Sequence, residues 1–388
     1  MVTRELPRPE DLRDCTNAVA GHAGTMCDAD GEFFIKPCTQ TEIDFYTSVS
    51  QLSAGKCSNK PEHHLEDIMP LFMGTLTLTD PLSSNLEDVL AGAIPEESSS
   101  QIAKEQIVAS VREQIESCHA QPLPVEKETW IPSKGKKIKT DKAVVLENIT
   151  YGFKCANILD VKLGVRLWAD DAPQQKKDRF TKISSETTHR TLGFRIAGMR
   201  VYRGSENAAD LDDDEYKVYD KDYGRLTVNE DNVVEEFKRF IFNKAANISK
   251  DMGQKICEAF IKELEIVDEI LSNNDTRMYS TSLLFVFEGD GVALQKAFDE
   301  NEAFLQLAEK PASCLQPPRR FDSGIAFDDE EELDESELEN LVEGVPKICS
   351  VKLIDFAHAS WAPGQGPDEN ILLGVRSLKK IFCTMAED

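Results

Sequence analysis

Asp160 and Lys162 stand two residues apart in the apolar run Ile158-Leu-Asp-Val-Lys-Leu-Gly164. On a strand, that spacing turns both side chains to one face. A carboxylate there can hold a hydroxyl nucleophile while the ammonium draws a transferring phosphoryl group, so the pair fits phosphoryl transfer. A second carboxylate, Asp355, ends another apolar run in Ile354-Asp-Phe356, and a hard divalent cation prefers such a fixed oxygen. Taken singly, the pair is equally an exposed ion pair and Asp355 an ordinary strand-end aspartate.

Further along lies a basic stretch, Lys176-Lys-Asp-Arg179-Phe-Thr-Lys182. Between Asp160 and Arg203 ten Lys/Arg face five acids, in a chain whose net charge is −26. Lys176, Lys177, Arg179 and Lys182 on one helix could gather a ligand bearing several phosphates through charge-assisted bonds. A solvated helix face is the alternative. The opposite extreme is Asp328 to Glu343, with ten acids in sixteen residues. That run reads as a solvated loop, or as a docking tail for a basic nuclear partner.

These residues need elements to carry them. Gly31-Glu-Phe-Phe-Ile-Lys36 is a strand stopped by Pro37, and Ile43, Tyr46 and Val49 give Thr39 to Leu52 the 3.6-residue period of a helix. Lys36 thus ends a strand six residues before Glu42 on a helix, an arrangement that resembles the phosphate-gripping lysine and helix glutamate of kinases. Strands are also expected at Met73 to Thr79, Ala143 to Leu146, Ile158 to Gly164, Phe194 to Tyr202, Ser282 to Phe287 and Lys347 to Phe356. Helical periodicity marks Asn229 to Asn247, Lys250 to Leu271, Ala293 to Leu307 and Asn370 to Met385, and one or two short helices are expected between Pro173 and His189. Residues from about 80 to 140, rich in Ser, Pro, Glu and Lys, read as a surface insertion.

In order along the chain come Val19-Ala-Gly-His-Ala-Gly24, Lys36, Leu146-Glu-Asn148, Asp160-x-Lys162-x-Gly164, Ser282-Leu-Leu284 and Ile354-Asp-Phe-Ala-His358. Together with Ser185-Glu-Thr-Thr188 and Leu192-Gly-Phe-Arg-Ile-Ala-Gly-Met199, this order resembles the inositol polyphosphate kinase family, and within it the fungal multikinase branch of the arginine-metabolism-regulator type. The likeness covers most of residues 17 to 79 and 143 to 385. One departure is Ala156, where the family pattern P-x-x-x-D-x-K-x-G begins with proline. Its loss bears on the stiffness of the strand entry, not on a reacting group.

The resemblance implies an α+β, two-lobed, kinase-like fold of the SAICAR synthase-like type with a small basic inositol-binding helical segment. It places a nucleotide-binding lobe at 1–147 and a larger lobe at 148–388, with the inositol-binding segment at 165–192 and an acidic loop at about 308–345. It further implies that Lys36, partnered by Glu42, contacts ATP phosphates, that Glu147 and its neighbours form the adenine hinge, and that Ser282 and Leu283 border the base. Asp160 would touch both ATP ribose and inositol, Lys162 the reacting phosphate or hydroxyl, and Asp355 would hold Mg²⁺. His358, otherwise a candidate structural histidine, would lie beside the inositol phosphates with Lys176, Lys177, Arg179 and Lys182. Only 29 residues separate Gly164 from Phe194, so the pocket is expected to be open to several inositol phosphates. The implied activity is ATP-dependent phosphorylation of inositol tris- and tetrakisphosphates to the pentakisphosphate. A non-catalytic transcriptional regulator and a hexakisphosphate kinase making pyrophosphates are the alternatives.

Composition excludes several other classes. The acidic balance opposes direct DNA binding, and no apolar run approaches the ~18 residues of a membrane helix. Ten cysteines without a C-x-x-C pair argue against zinc clusters and a disulfide framework and for reduced, buried thiols. A nuclear and cytoplasmic monomer is expected, with transcription-factor partners reached through the acidic run. Lys134-Gly-Lys-Lys-Ile-Lys139 is a candidate import signal or a flexible basic loop.

Overall fold

The computed structural model describes residues 12–15, 24–54, 64–77, 140–308 and 346–388. The glycine turn expected at 19–24, apart from Gly24, the bulk of the insertion at 80–140, the basic run at 134–139 and the acidic run lie outside the described residues.

Two five-stranded antiparallel sheets organise the chain. The first contains β1 (Arg13–Asp14), β2 (Met26–Cys27), β3 (Phe33–Pro37), β4 (Phe72–Thr77) and β5 (Lys142–Glu147), in the order β1-β2-β3-β5-β4. Strand β3 alternates buried and half-buried side chains, as a two-faced strand should. Its Phe33 and Ile35 pack with Ala143 and Val145 on one face. Lys36 pairs in register with Val144 on the other, toward helix α1 (Gln40–Ala54).

The second sheet contains β6 (Ala156–Leu163), β7 (Phe194–Tyr202), β8 (Tyr216–Tyr219), β10 (Ser282–Glu288) and β11 (Cys349–Ile354), in the order β11-β10-β6-β7-β8. One face carries the main core. Helices α6 (Lys250–Ser272) and α8 (Glu369–Glu387) lie there, and Phe260, Phe285 and Phe382 meet with ring centroids 5.2 to 5.4 Å apart. Ser249 caps α6 by accepting a bond from the Met252 N–H at 3.2 Å, satisfying one of its orphan donors. The other elements are α2 (Gln174–Ser185), α3 (His189–Leu192), α4 (Lys221–Leu226), α5 (Val233–Ile241) and α7 (Gly291–Ala308), with a small pairing of β9 (Thr276–Met278) and β12 (Ala359–Trp361).

Helix α1 bridges the sheets. Phe356 is wholly buried and stacks on Phe45 at 5.1 Å, while its edge meets Tyr46 at 5.2 Å. Trp361 Nε1 donates to Ser48 Oγ at 2.8 Å. Aromatic pairs in such geometry contribute ~0.5–1.5 kcal/mol each beyond the area they bury, so the residue after Asp355 anchors the helix that carries Glu42.

Most expected elements form within two residues of their sequence boundaries. The helix expected over 229–247 is shorter: α5 covers 233–241 and a separate 3₁₀ turn spans Lys244–Ala246. Strands β1, β2, β8, β9 and β12 were not legible, being two to four residues long. The cysteine expectation is corrected at one place. Cys15 and Cys27 form a disulfide between the first two strands, because β1 and β2 pair antiparallel with Arg13 opposite Cys27. A sequence separation of 12 carries no short-spacing signature. Cys38, Cys155, Cys257, Cys349 and Cys383 are free thiols.

Candidate active site

Register on the second sheet decides which side chains share the open face. Asp160 pairs with Leu284 and Lys162 with Ser282, while Ser282 also pairs with Ile354. Cross-strand partners point the same way, so Asp160, Lys162, Ser282, Leu284 and Ile354 face together. Leu283 faces the other way. It pairs with Val161 and Leu353 and is wholly buried in the main core, which corrects the expectation that it borders the base. The leucine on the site face is Leu284, half-buried beside Ile149, Ile158 and Val286. The sequence Ser-Leu-Leu contains both, and only pairing register separates them.

At the polar end of this face four charged groups converge. Lys36 Nζ donates to Glu42 Oε1 and to Asp355 Oδ1, each at 2.7 Å. Lys162 Nζ donates to Asp355 Oδ2 at 3.0 Å, to Ser282 Oγ at 3.1 Å and to the Ser280 carbonyl at 3.0 Å. Glu42 also accepts from the Phe356 N–H at 3.2 Å. Burial alone would raise the Asp355 carboxyl, but the cations of Lys36 and Lys162 outweigh it and hold the group well below the usual carboxylate range. Burial likewise works against the charge on Lys36, and Asp355 and Glu42 overcome it, raising that ammonium well above its ordinary value. Asp355 takes a left-handed backbone with φ +68°. Aspartate tolerates this better than most residues, and such local cost is held in place where the surroundings fix it.

Asp160 is buried, and burial raises its carboxyl, opposed by Lys162 and the Ser282 hydroxyl. Its Oδ1 has no hydrogen-bond partner. This is a buried acceptor without a donor, beside a serine and a lysine, where most buried polar atoms are paired.

Gly164 closes this strand with φ +92°, and a Cβ there would lie 2.5 Å from Asn370 Nδ2. The glycine lets α8 hold the next segment: Asn370 Oδ1 accepts from Val165 N at 2.9 Å and Arg166 N at 2.8 Å, and Nδ2 donates to the Arg166 carbonyl at 3.0 Å. Arg166 lies over Trp168 at 4.0 Å and Tyr279 at 4.9 Å. Trp168 Nε1 donates to Thr181 Oγ1 at 3.1 Å, tying this turn to α2. Arg166, Trp168, Tyr279 and Asn370 were not singled out from the sequence. Aromatics interleaved with bases over 166–182 were the available signal.

From α2, Lys176 Nζ reaches His358 Nε2 at 2.9 Å, and burial depresses both groups. Two of the expected substrate ligands, 182 residues apart, therefore meet. Lys177 donates to the Asp170 carbonyl at 2.6 Å and lies over Trp168. Arg179 is half-buried on the same helix. Lys182 is exposed and lies 3.8 Å from Glu186, the residue that caps its helix. Glu147 is half-buried at the end of β5, where it lines a cavity of about 290 Å³ with Tyr46, Phe72 and Lys352. Among the described residues, no hydrogen bond or ion pair links Glu147 or Lys182 to the Lys36–Asp355–Lys162 cluster.

The residues fit a divalent ion carried on a phosphorylated ligand. Asp355 offers a carboxylate, and among the described residues no group of three or more His, Cys, Asp or Glu forms a closed cage. Magnesium bound through one or two carboxylates, with phosphates and water completing its octahedron, needs no such cage.

The family model described as inositol polyphosphate kinase matches residues 143–383. The inositol polyphosphate multikinase of Saccharomyces cerevisiae is 30% identical over 96% of this chain and 98% of its own length. That of Schizosaccharomyces pombe is 24% identical over 95% and 96%. The mouse inositol hexakisphosphate kinase 1 is 28% identical over 70% of this chain and 57% of its own. Among solved structures, inositol phosphate multikinase Ipk2 from S. cerevisiae in complex with ADP and Mn²⁺ superposes with a TM-score of 0.54 at 24% identity, covering 91% of this chain and 99% of that one. The α+β kinase-like fold is shared, and the chain belongs to the inositol polyphosphate kinase family.

Proposed function

We propose that this protein is an inositol polyphosphate multikinase, transferring the γ-phosphoryl group of ATP to hydroxyls of inositol tris- and tetrakisphosphates to yield the pentakisphosphate. The observation that carries it is the shared Asp355 carboxylate, gripped by Lys36 from one sheet and Lys162 from the other, beside the buried, unpaired oxygen of Asp160. In this reading Lys36 and Lys162 rest on Asp355 until phosphates arrive to take their donors. Mg²⁺ on Asp355 would supply charge neutralisation across the nucleotide phosphates. Asp160 orients the acceptor hydroxyl, whose oxygen forms the new bond to phosphorus as the bond to the β–γ bridging oxygen breaks. The hydroxyl proton leaves through Asp160 to solvent, and ADP departs with the bridging oxygen. Lys176, Lys177, Arg179 and His358 hold the substrate phosphates, and Leu284 replaces Leu283 at the base. Catalysis is positioning and charge stabilisation.

The test is the product profile of the purified protein with Mg-ATP and inositol 1,4,5-trisphosphate beside Asp160→Ala. Stepwise conversion to tetrakis- and pentakisphosphate that vanishes in the variant is expected. Turnover confined to inositol hexakisphosphate would assign the pyrophosphate chemistry instead, and no turnover on either would leave a regulator with a kinase fold.

The proposal extends to a monomer acting in nucleus and cytoplasm, with the acidic run at 327–343 docking a basic transcription-factor partner. Its support is the concentration of ten acids in sixteen residues. Unchanged partner recovery after deleting residues 327–343 would end the docking idea, light scattering checks the monomer, and a fluorescent fusion checks the location.

A further inference from the structure

Arg195 is buried on β7 at 7% exposure, directly across the ladder from Lys162. Two cations facing each other on one sheet face are unfavourable unless an anion separates them. Asp160 stands two residues before Lys162 on β6, on the same face, and after burial its carboxylate has the largest effect on the Arg195 guanidinium. The ladder is also irregular here. Between Asp160 and Val161 on β6 the partner strand takes an extra residue, passing from Gly198 to Ile196. A bulge of this kind re-aims the side chains beside it.

The hydrogen bonds are complementary. The Lys162 ammonium makes its three bonds to Asp355, Ser282 and Ser280, and none to Asp160. Asp160 Oδ1 and Arg195 Nε are both buried without a hydrogen-bond partner. The Arg195 Nη1 is fixed by the Ile196 carbonyl at 2.9 Å and the Lys221 carbonyl at 3.3 Å, so the guanidinium is anchored by backbone on the α4 side. Arg225 on α4 adds repulsion and Asp222 on α4 is its remaining attractive neighbour, while burial and Arg195 itself hold His189 on α3 neutral. A buried, anchored cation with an unpaired donor and a buried carboxylate with an unpaired acceptor, on neighbouring strands, are coupled by charge rather than by a formed bond.

We propose that Arg195 is the positioning residue for Asp160: it supplies the fixed counter-charge that keeps the carboxylate aimed at the acceptor hydroxyl when Lys162 leaves Asp355 for a substrate phosphate. This rests on the kinase reading above and adds a residue to it. Lys162 alternates between partners during the reaction, whereas Arg195 does not move.

The experiment uses the full chain with Mg-ATP and inositol 1,4,5-trisphosphate. If the wild type turns over no inositol phosphate, the functional reading fails and Arg195 is not the cause. Given wild-type turnover, Arg195→Met is expected to lower kcat about a hundredfold, the scale for removing one preorganised charge, with KM for both substrates within about threefold. Arg195→Lys should fall between, about tenfold down, because it keeps the charge without the anchored fork. In single-turnover assays with enzyme in excess, Asp160→Asn/Arg195→Met should be no slower than Asp160→Asn, as for residues that act as a unit. Wild-type kcat in a folded Arg195→Met, or losses that multiply in the double variant, would overturn the proposal. Should Arg195→Met fail to fold, Arg195→Lys carries the test alone, and a wild-type kcat there overturns it equally.

Discussion

Lys36 Nζ lies 2.7 Å from Asp355 Oδ1, so a single hydrogen bond joins the first sheet to the end of β11 across 319 residues of sequence. Glu42 holds the same ammonium from α1 and also receives the Phe356 N–H. Removing Glu42 therefore strands a buried donor as well as half of an ion pair. Glu42→Ala is expected to cost about 3 kcal/mol of stability, the scale for breaking a buried pair, and to slow turnover at least about tenfold. Urea denaturation and steady-state kinetics check both.

Asp355→Asn removes the one carboxylate shared by both lysines. Turnover should fall on the order of 10³-fold, since several kcal/mol of charge stabilisation go with the metal site. Calorimetric titration with ATP should show that adding Mg²⁺ no longer improves affinity. An undiminished Mg²⁺ effect would move the metal site elsewhere.

His189 is wholly buried in α3 and its titration is pushed down to about 3, first by burial and then by Arg195. In the unfolded chain a histidine titrates near ~6.5. Between these values the unfolded state binds the extra proton, so stability rises with pH and is lost as pH falls from about 6.5 toward 3, by up to ~1.4 kcal/mol per pH unit. Asp355, with its depressed carboxyl, adds its own loss only below ~4. Denaturant midpoints between pH 7 and 5 should thus slope in the wild type and slope less in His189→Phe, the depressed His358 keeping the remainder.

Gly374 of α8 packs against the turn that starts β7. A Cβ there would lie 2.4 Å from the Gly193 carbonyl, a backbone atom that also accepts the Gly164 N–H at 2.7 Å. Gly374→Ala should cost about 1–3 kcal/mol through overpacking. It should also raise KM for the inositol phosphate more than KM for ATP, because α2 and α3 lie between Gly164 and that turn. Equal changes in the two KM values would separate this packing contact from the substrate segment.

The longer strands and the long helices were legible because hydrophobic period depends on local sequence: α6 and α8 bury Phe260 and Phe382 at helical spacing, and β7 is apolar along nearly its whole length. The D-x-K pair, Lys36, Glu42 and Asp355 were legible as residue types in order, and that order suffices for the family. What the sequence by itself determined is the chemistry available: two carboxylates, two lysines, a basic helix and the strands to present them. The tertiary structure alone decided which of Leu283 and Leu284 faces the site, because a one-residue step on a strand reverses the face. It also paired Lys176 with His358, turned Lys182 to solvent, joined Cys15 to Cys27 and set Arg195 opposite Lys162. Each of these depends on register or packing between segments distant in sequence, and no local period encodes such a relationship.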